Sequence, residues 1–483
     1  MPTWKLPSNH PAPSNELLAF IAAINASALF REAAPIAIAR APGRLDLMGG
    51  IADYSGALVL ELPLACATWV AAQRTTTPEI VVQSLDQQAT HGHPKVRLPL
   101  ADLLVADQLI DEYSARHILT SNTQQAWAAY VIGTLITLAH AKRLHIPYGL
   151  HILVHSSIPA GKGVSSSAAL EVASMLAIAA LFQQPLQGRE LALLCQRTEN
   201  LVVGAPCGIM DQMTVACGLA DQLLALRCQP AELEPLVQLP AELAVWGIDS
   251  GIRHAVGSSD YGTVRAAASI GYRIIAEQVG LKVMSTQLGQ IAIDDPEWGG
   301  YLANITPATW ERFFREHVPE QIDGASFLAR YGGITDQVVT IEPSKIYPAR
   351  AATAHPIYEQ QRVRLFRALV QAGASSEEER QLLGELMEQS HASYSACGLG
   401  SRGTDRLVDL VRNAGPHNGV YGAKITGGGS GGTVAVLGRC DAAPTLATIA
   451  QRYHAETGRN AMVLSSSSPG AMAHGVVWLK REW

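Results

Sequence analysis

Four short stretches of this chain set reactive side chains among glycines. The first is Ala41-Pro-Gly-Arg-Leu-Asp-Leu-Met-Gly-Gly-Ile-Ala-Asp-Tyr-Ser-Gly56, in which Arg44 and Asp53 stand as polar anchors on a stretch that reads as a turn-rich loop. Gly49, Gly50 and Ile51 lie between them and offer neither charge nor a side-chain donor. Such a loop holds a polar ligand at two points and leaves an apolar gap.

The second is Pro159-Ala-Gly-Lys-Gly-Val-Ser-Ser-Ser167. It is not a Walker A loop, because Gly163 and not Ser or Thr follows Lys162. The physical parts of an anion site are nonetheless there. Gly161 and Gly163 let backbone N–H groups approach an oxyanion, and Ser165, Ser166 and Ser167 open a helix whose positive end favours one. A serine hydroxyl at that point can also reach Mg²⁺, which prefers oxygen ligands. An ordinary serine N-cap fits the same letters.

In the third stretch, Glu199 and Asp211 flank the turn Gly204-Ala-Pro-Cys-Gly-Ile-Met. Two such acids can supply a metal ligand and a base; a helix cap or a satisfied buried carboxylate is the plain alternative for Asp211. The fourth, Gly427-Gly-Gly-Ser-Gly-Gly432, contains G-x-G-x-x-G, but a strand-like run, Thr433–Leu437, follows it where a dinucleotide fingerprint needs a helix. Five glycines in six residues point to close backbone packing against another loop or a phosphate. A fifth stretch, Asp249 to Tyr261 with Arg253 inside it, reads on its own as a polar loop.

The elements that must position these residues are legible in outline. A helix is expected near 15–30 and short strands at Thr68–Gln73, Ile80–Ser84 and Leu150–His155. The last strand runs through the Ser/Gly loop into a helix, Ala168–Phe182, which is the order a helix-N-terminus phosphate site requires. Further helices are expected at Gly188–Asn200, Tyr261–Val279, Ile357–Ala372, Ser376–Ser390 and Arg402–Asn413. Strands are expected at Leu223–Arg227 and Leu243–Ile248, and the late glycine loop joins two more. The section 281–350 reads as irregular. This mixed order argues for α+β.

Composition narrows the class. At 483 residues, 48% hydrophobic and 16% charged, the chain has room for two or three domains and a large core. A net charge of −6 gives no general reason to expect nucleic acid or an anionic membrane as partner. Seven scattered cysteines without a C-x-x-C pair suit reduced thiols in a cytoplasm better than a disulfide frame or zinc site. The N-terminus lacks the apolar core of a signal peptide. Ala126–Ala139 is too short to span a bilayer. Monomer and dimer remain equally open.

Taken together, the boxes resemble the GHMP small-molecule kinases, and their galactokinase branch most of all. An early P-G-R…G…D-Y box, a central P-x-G-x-G-V-x-S-S loop, Pro206-Cys-Gly-Ile-Met-Asp-Gln212 and a late glycine loop occur in order. The resemblance implies a two-lobe α+β fold: an N-terminal mixed lobe at about 1–223 and a ferredoxin-like C-terminal lobe at about 224–483, the latter with an insertion at about 281–350. ATP and a sugar would lie between the lobes. By the same resemblance Asp211 is the catalytic aspartate and Arg44 its companion. Ser167 and Glu199 would hold Mg²⁺. Asp53, Gly208, Tyr261 and Arg253 would lie on the sugar. Pro159 to Ser167, including Val164, would cradle the nucleotide with Gly428 and Gly429.

One departure bears on the substrate. Galactokinases carry a Glu-His pair where this chain has Gly50-Ile51, and in that branch the pair holds the sugar 6-hydroxyl. An unpaired buried hydroxyl costs about 1–3 kcal/mol, so a site without the pair should favour L-arabinose, which has no such group. Ile51 is expected to fill the vacated space. Tyr394-Ser-Ala-Cys-Gly-Leu-Gly-Ser401 and the 327–358 section are also similar to the arabinose-acting members of the family. The alternatives are a galactose or uronic-acid 1-kinase, or a sugar sensor without turnover.

Overall fold

The computed structural model describes residues 3–482 apart from 9–10, 87–93, 107, 253–258 and 288. Arg253 therefore lies outside the described residues. The first large sheet runs in the order Thr3–Lys5, Val476–Glu482, Ile36–Met48, Leu58–Thr75, Gly149–Ser156, Glu79–Ser84 and Lys95–Pro99. Gln222–Arg227 adds to the edge of Leu58–Thr75, pairing Leu58 with Arg227. The C-terminal strand thus returns to the sheet built by the start of the chain.

Across this sheet lies the helix Ser166–Leu181. Its sequence is almost wholly small and apolar, and residues from Ala168 to Ala179 are nearly all buried. A helix apolar on every side belongs inside a core, between a sheet and other helices. Here it packs on Ile36–Met48, Leu58–Thr75, Ala129–Lys142 and Gly188–Arg197. The strand Gly149–Ser156 delivers the chain to its N-terminus through the Ser/Gly loop, as the letters predict.

A second sheet has the order Val420–Ile425, Thr433–Arg439, Leu243–Asp249, Met462–Leu464. Read along the chain, this is strand, helices, hairpin, helix Ala443–Thr457, strand, with the first strand central: a ferredoxin-like arrangement. The helices Ser259–Gln278, Ala349–Gln371 and Glu377–Ala396 separate its first two strands. The expected start of the second of these, Ile357, falls eight residues late. Pro356 lies inside that helix, and a proline reads as a boundary when only local rules are applied.

The 281–350 section is more ordered than expected. Lys282–Gln287 and Gly289–Asp294 form a hairpin, joined in parallel by Gly333–Ile334. Trp298, Trp310, Phe314, Phe327 and Tyr347 give it a core shared with Ser259–Gln278 and Ala349–Gln371. Periodicity misses it because its elements are short and its burial comes from large single side chains rather than from a repeating stripe.

Candidate active site

The box Ala41–Gly56 is not mainly a loop. Residues up to Met48 complete a 13-residue strand buried throughout, and a short helical turn, Gly50–Ser55, follows. Pro42 and Gly43, which suggest a turn, instead mark an irregularity in its pairing between Pro42 and Arg44, and a second falls between Asp46 and Met48. Bulges of this kind re-aim side chains. Asp46 stands directly opposite Glu61 of the neighbouring strand.

Arg44 is fully buried and enclosed by acceptors. Its Nη2 and Nε donate to Asp211 Oδ1 at 2.6 and 3.0 Å, and its Nη1 donates to the carbonyl of Gly163 at 2.7 Å. Glu61 Oε2 lies 3.2 Å from Nε. Burial opposes the guanidinium charge, but Asp211, Glu61 and Asp46 outweigh it and hold the pKa above its ordinary value. Burial, with Asp46 opposite, drives the Glu61 carboxyl well above the carboxylate range against the pull of Arg44.

Asp211 sits in the first turn of the helix Met210–Cys217, with its side chain 22% exposed to the cleft. Gly204–Met210 carries it there. Asp53 abuts that turn: its Oδ1 accepts the N–H of Tyr54 at 2.8 Å, while its buried Oδ2 has no hydrogen-bond partner. A Cβ on Gly208 would come within 1.5 Å of Oδ2, so glycine there leaves this carboxyl its place. Burial, then the charge of Asp211, push Asp53 up to about 7.

On the opposite side lies the Ser/Gly loop. Ser165 adopts a left-handed backbone, φ 60°, and its buried hydroxyl has no partner. Glu199 lies within a turn of π-helix, Thr198–Val203, and accepts from Gln212 Nε2 at 2.6 Å. Burial and Asp211 raise it to about 7, while Ser167 and Gln212 stabilise its charge. Gln212 also donates to the buried Glu171 at 3.3 Å. No group of three or more His, Cys, Asp or Glu side chains suited to a metal occurs among the described residues. Glu199, the Ser167 hydroxyl and phosphate oxygens are nonetheless a donor set that Mg²⁺ accepts, since it commonly binds through one or two carboxylates and substrate phosphates.

The late glycine loop closes on the first. A Cβ on Gly427 would meet the carbonyl of Gly163 at 2.7 Å, and one on Gly432 would meet that of Lys162 at 2.5 Å. Both glycines have positive φ. Loop packing therefore accounts for these two glycines, while Gly428 reaches the cleft. Lys162 points to Asp249, 3.2 Å away.

The cleft between these parts has a volume of about 350 Å³. It brings together Arg44, Asp53, Gly208, Asp211, Tyr261 and Glu199, with Gly161, Gly163 and Ser165–Ser167 along one side. Pro159, Lys162, Val164, Gly429, Gly50 and Ile51 are not among its lining residues. Val164 is in the core and receives the N–H of Arg44 on its carbonyl at 3.2 Å. Ile51 corrects an expectation. It is wholly buried in the core of the 281–350 section, not facing the cleft. Gly50 is held off the cleft by Tyr394, whose hydroxyl oxygen would lie 1.3 Å from a Cβ at position 50. That hydroxyl accepts the N–H of Ile51 at 2.9 Å and reaches Asp46 Oδ2 at 3.2 Å.

Several partners escaped the sequence reading. Asp46 forms a fully buried pair with Lys424, Nζ to Oδ2 2.6 Å. Glu61, Arg265 and Asp336 were also missed. Alternation along the strand could have drawn attention to Asp46, two residues after Arg44; nothing local marks the other three.

Comparison with known proteins agrees with this geometry. The family description "GHMP kinases N terminal domain" matches residues 129–219, and "GHMP kinases C terminal" matches 367–456. The "Galactokinase galactose-binding signature" matches 27–74, the strand pair that carries Arg44 with the helical turn between its strands that carries Asp53. The chain is 41% identical to the L-arabinokinase of Arabidopsis thaliana across 94% of its own length, but spans only 48% of that relative. It is 31% identical to the galactokinase of Chloroflexus aggregans, covering 88% of this chain and 90% of that one. Among solved structures, Lactococcus lactis galactokinase complexed with galactose matches with a TM-score of 0.68 at 21% identity, covering 95% of this chain and 99% of that one. The chain belongs to the GHMP kinase family, in its galactokinase branch.

Proposed function

We propose that this chain transfers the γ-phosphoryl group of ATP to the anomeric hydroxyl of L-arabinose, giving L-arabinose 1-phosphate. The observation that carries the reading is Asp211, held by Arg44 at the floor of a cleft. The unpartnered hydroxyl of Ser165 lies on one side and the unpartnered Oδ2 of Asp53 on the other. The 41% identity to an L-arabinokinase supports the sugar, although the chain spans about half of that relative. The unpaired cysteines support a reducing, cytoplasmic setting. No helix among the described residues is long and apolar enough to cross a membrane.

In this reading the N-terminus of Ser166–Leu181 and the backbone of Gly161–Ser165 bind the phosphates. Asp53 and the backbone at Gly208 orient sugar hydroxyls. Asp211 takes the proton from the anomeric hydroxyl as its oxygen attacks the γ-phosphorus and the bond to the β-phosphate oxygen breaks. Proton transfer by a positioned group contributes about 10²–10⁴-fold. Arg44 keeps Asp211 oriented and sets a fixed positive charge where negative charge develops. Ser167 and Glu199 would hold Mg²⁺, which supplies charge neutralisation on the phosphates when bound.

The galactose-binding signature favours D-galactose as the second reading. ATP consumption with L-arabinose, D-galactose and D-galacturonate in parallel separates the two. The expected result is turnover chiefly with L-arabinose and loss of its reducing end. Turnover chiefly with D-galactose overturns the reading, as does sugar binding without any ATP consumption.

A further inference from the structure

The 281–350 section reaches the cleft. Val338, Val339 and Thr340 line it, together with Glu342, Lys345 and Tyr347. The segment is anchored by a chain of polar contacts that begins beside the sugar-binding residues. Arg265, buried on the helix Ser259–Gln278, donates through Nη1 to the carbonyl of Cys207 at 2.9 Å, next to Gly208. Its Nε and Nη2 donate to the Asp336 carboxylate at 2.6 and 3.3 Å. Asp336 Oδ1 in turn accepts the N–H groups of Val338 at 2.8 Å and Val339 at 3.3 Å. The turn that carries the two valines is thereby tied to the turn that carries Gly208 and Asp211. Arg265 also lies over the ring of Tyr54, 5.7 Å from its centre, and its charge acts on Asp53, which places this anchor on the Asp53 side of the cleft.

We infer that Val338 and Val339 form an apolar wall at the acceptor end of the cleft that selects a sugar without an exocyclic hydroxymethyl group, and that Arg265 and Asp336 are its positioning residues. The inference rests on the arabinose reading and supplies the contact that Ile51 does not make. A hydroxymethyl group pressed on two valines would find no partner for its oxygen on that wall, whereas a pentopyranose presents only ring carbon there. Apolar contacts alone reject an added hydroxyl by about 10²-fold at most, so the selection is a preference of moderate size.

The test measures kcat/KM for L-arabinose and D-galactose on the same preparations of wild type, Val338→Ala, Val339→Ala and Asp336→Asn. Any loss of folded protein lowers both values together, so the ratio is insensitive to it. The expected result is a rise of about tenfold in the galactose-to-arabinose ratio for at least one valine variant. Asp336→Asn should move the ratio in the same direction, chiefly through KM. A wild type that prefers D-galactose, or uses neither sugar, overturns the arabinose reading and the exclusion with it. A wild type that prefers L-arabinose, with all three variants at its own ratio, overturns the wall alone.

Discussion

Asp211 and Asp53 are two carboxyls in one cleft with different surroundings. Asp211 is partly open to the cleft and held by Arg44, which suits the base proposed for it. Asp211→Asn should lower turnover by about 10²-fold or more while leaving the fold intact, read by steady-state rates and circular dichroism; near-wild-type rates would remove Asp211 from its role. Asp53 is raised to about 7 by burial and by Asp211. Its ordinary value is 3.8, so the folded protein binds its proton more tightly than the unfolded chain does. The stability it contributes is full below about pH 4 and is lost as pH rises through 7. Asp53→Asn has no proton to lose, so its melting temperature should fall less between pH 5 and pH 8 than that of the wild type. Parallel profiles for the two proteins would contradict this. That Arg44, Asp53 and Asp211 would meet in one cleft was legible because they stand in short boxes whose letters are unusual. The upward shift of the Glu61 carboxyl was not, because it arises from burial between strands and from Asp46 standing opposite across the strand pair.

At the scale of elements, the strand Ile36–Met48 is where the two sheets meet. Asp46 on it is joined to Lys424 on Val420–Ile425, and Tyr394 from Glu377–Ala396 reaches both Asp46 and the carbonyl of Gly427. Removing one partner of a buried pair leaves an uncompensated charge, which costs about 3–5 kcal/mol. Lys424→Met should therefore lower the unfolding midpoint in urea sharply, and Asp46→Asn added to it should restore part of the loss. A double variant no more stable than the single one would show that the pair is not coupled. The same strand explains why Gly50 is glycine. The space a side chain would need is taken by Tyr394, so Gly50 and Tyr394 make one structural unit from residues 344 positions apart. Sequence reading placed the strand–loop–helix unit around Ser165 correctly, because each of its parts is signalled locally. It misread Ala41–Met48 as a loop, because glycine and proline mark bulges as well as turns.

At the scale of the whole molecule, a sheet begun by the N-terminal half and completed by Val476–Glu482 faces a ferredoxin-like sheet, and the family's boxes gather in the cleft they share. The sequence by itself determined the family, the fold class and the order of the boxes, because phosphate-binding turns, buried helices and glycine loops are dictated by neighbours within a few residues. Only the tertiary structure decided what surrounds those boxes. It turned Ile51 into the core, set Glu61 opposite Asp46, and brought Val338 and Val339 from a section without periodicity to the rim of the cleft. The physical reason is range. Backbone conformation and helix burial follow from local letters, whereas a wall, a buried ion pair and a raised pKa arise from atoms that meet only when distant segments pack.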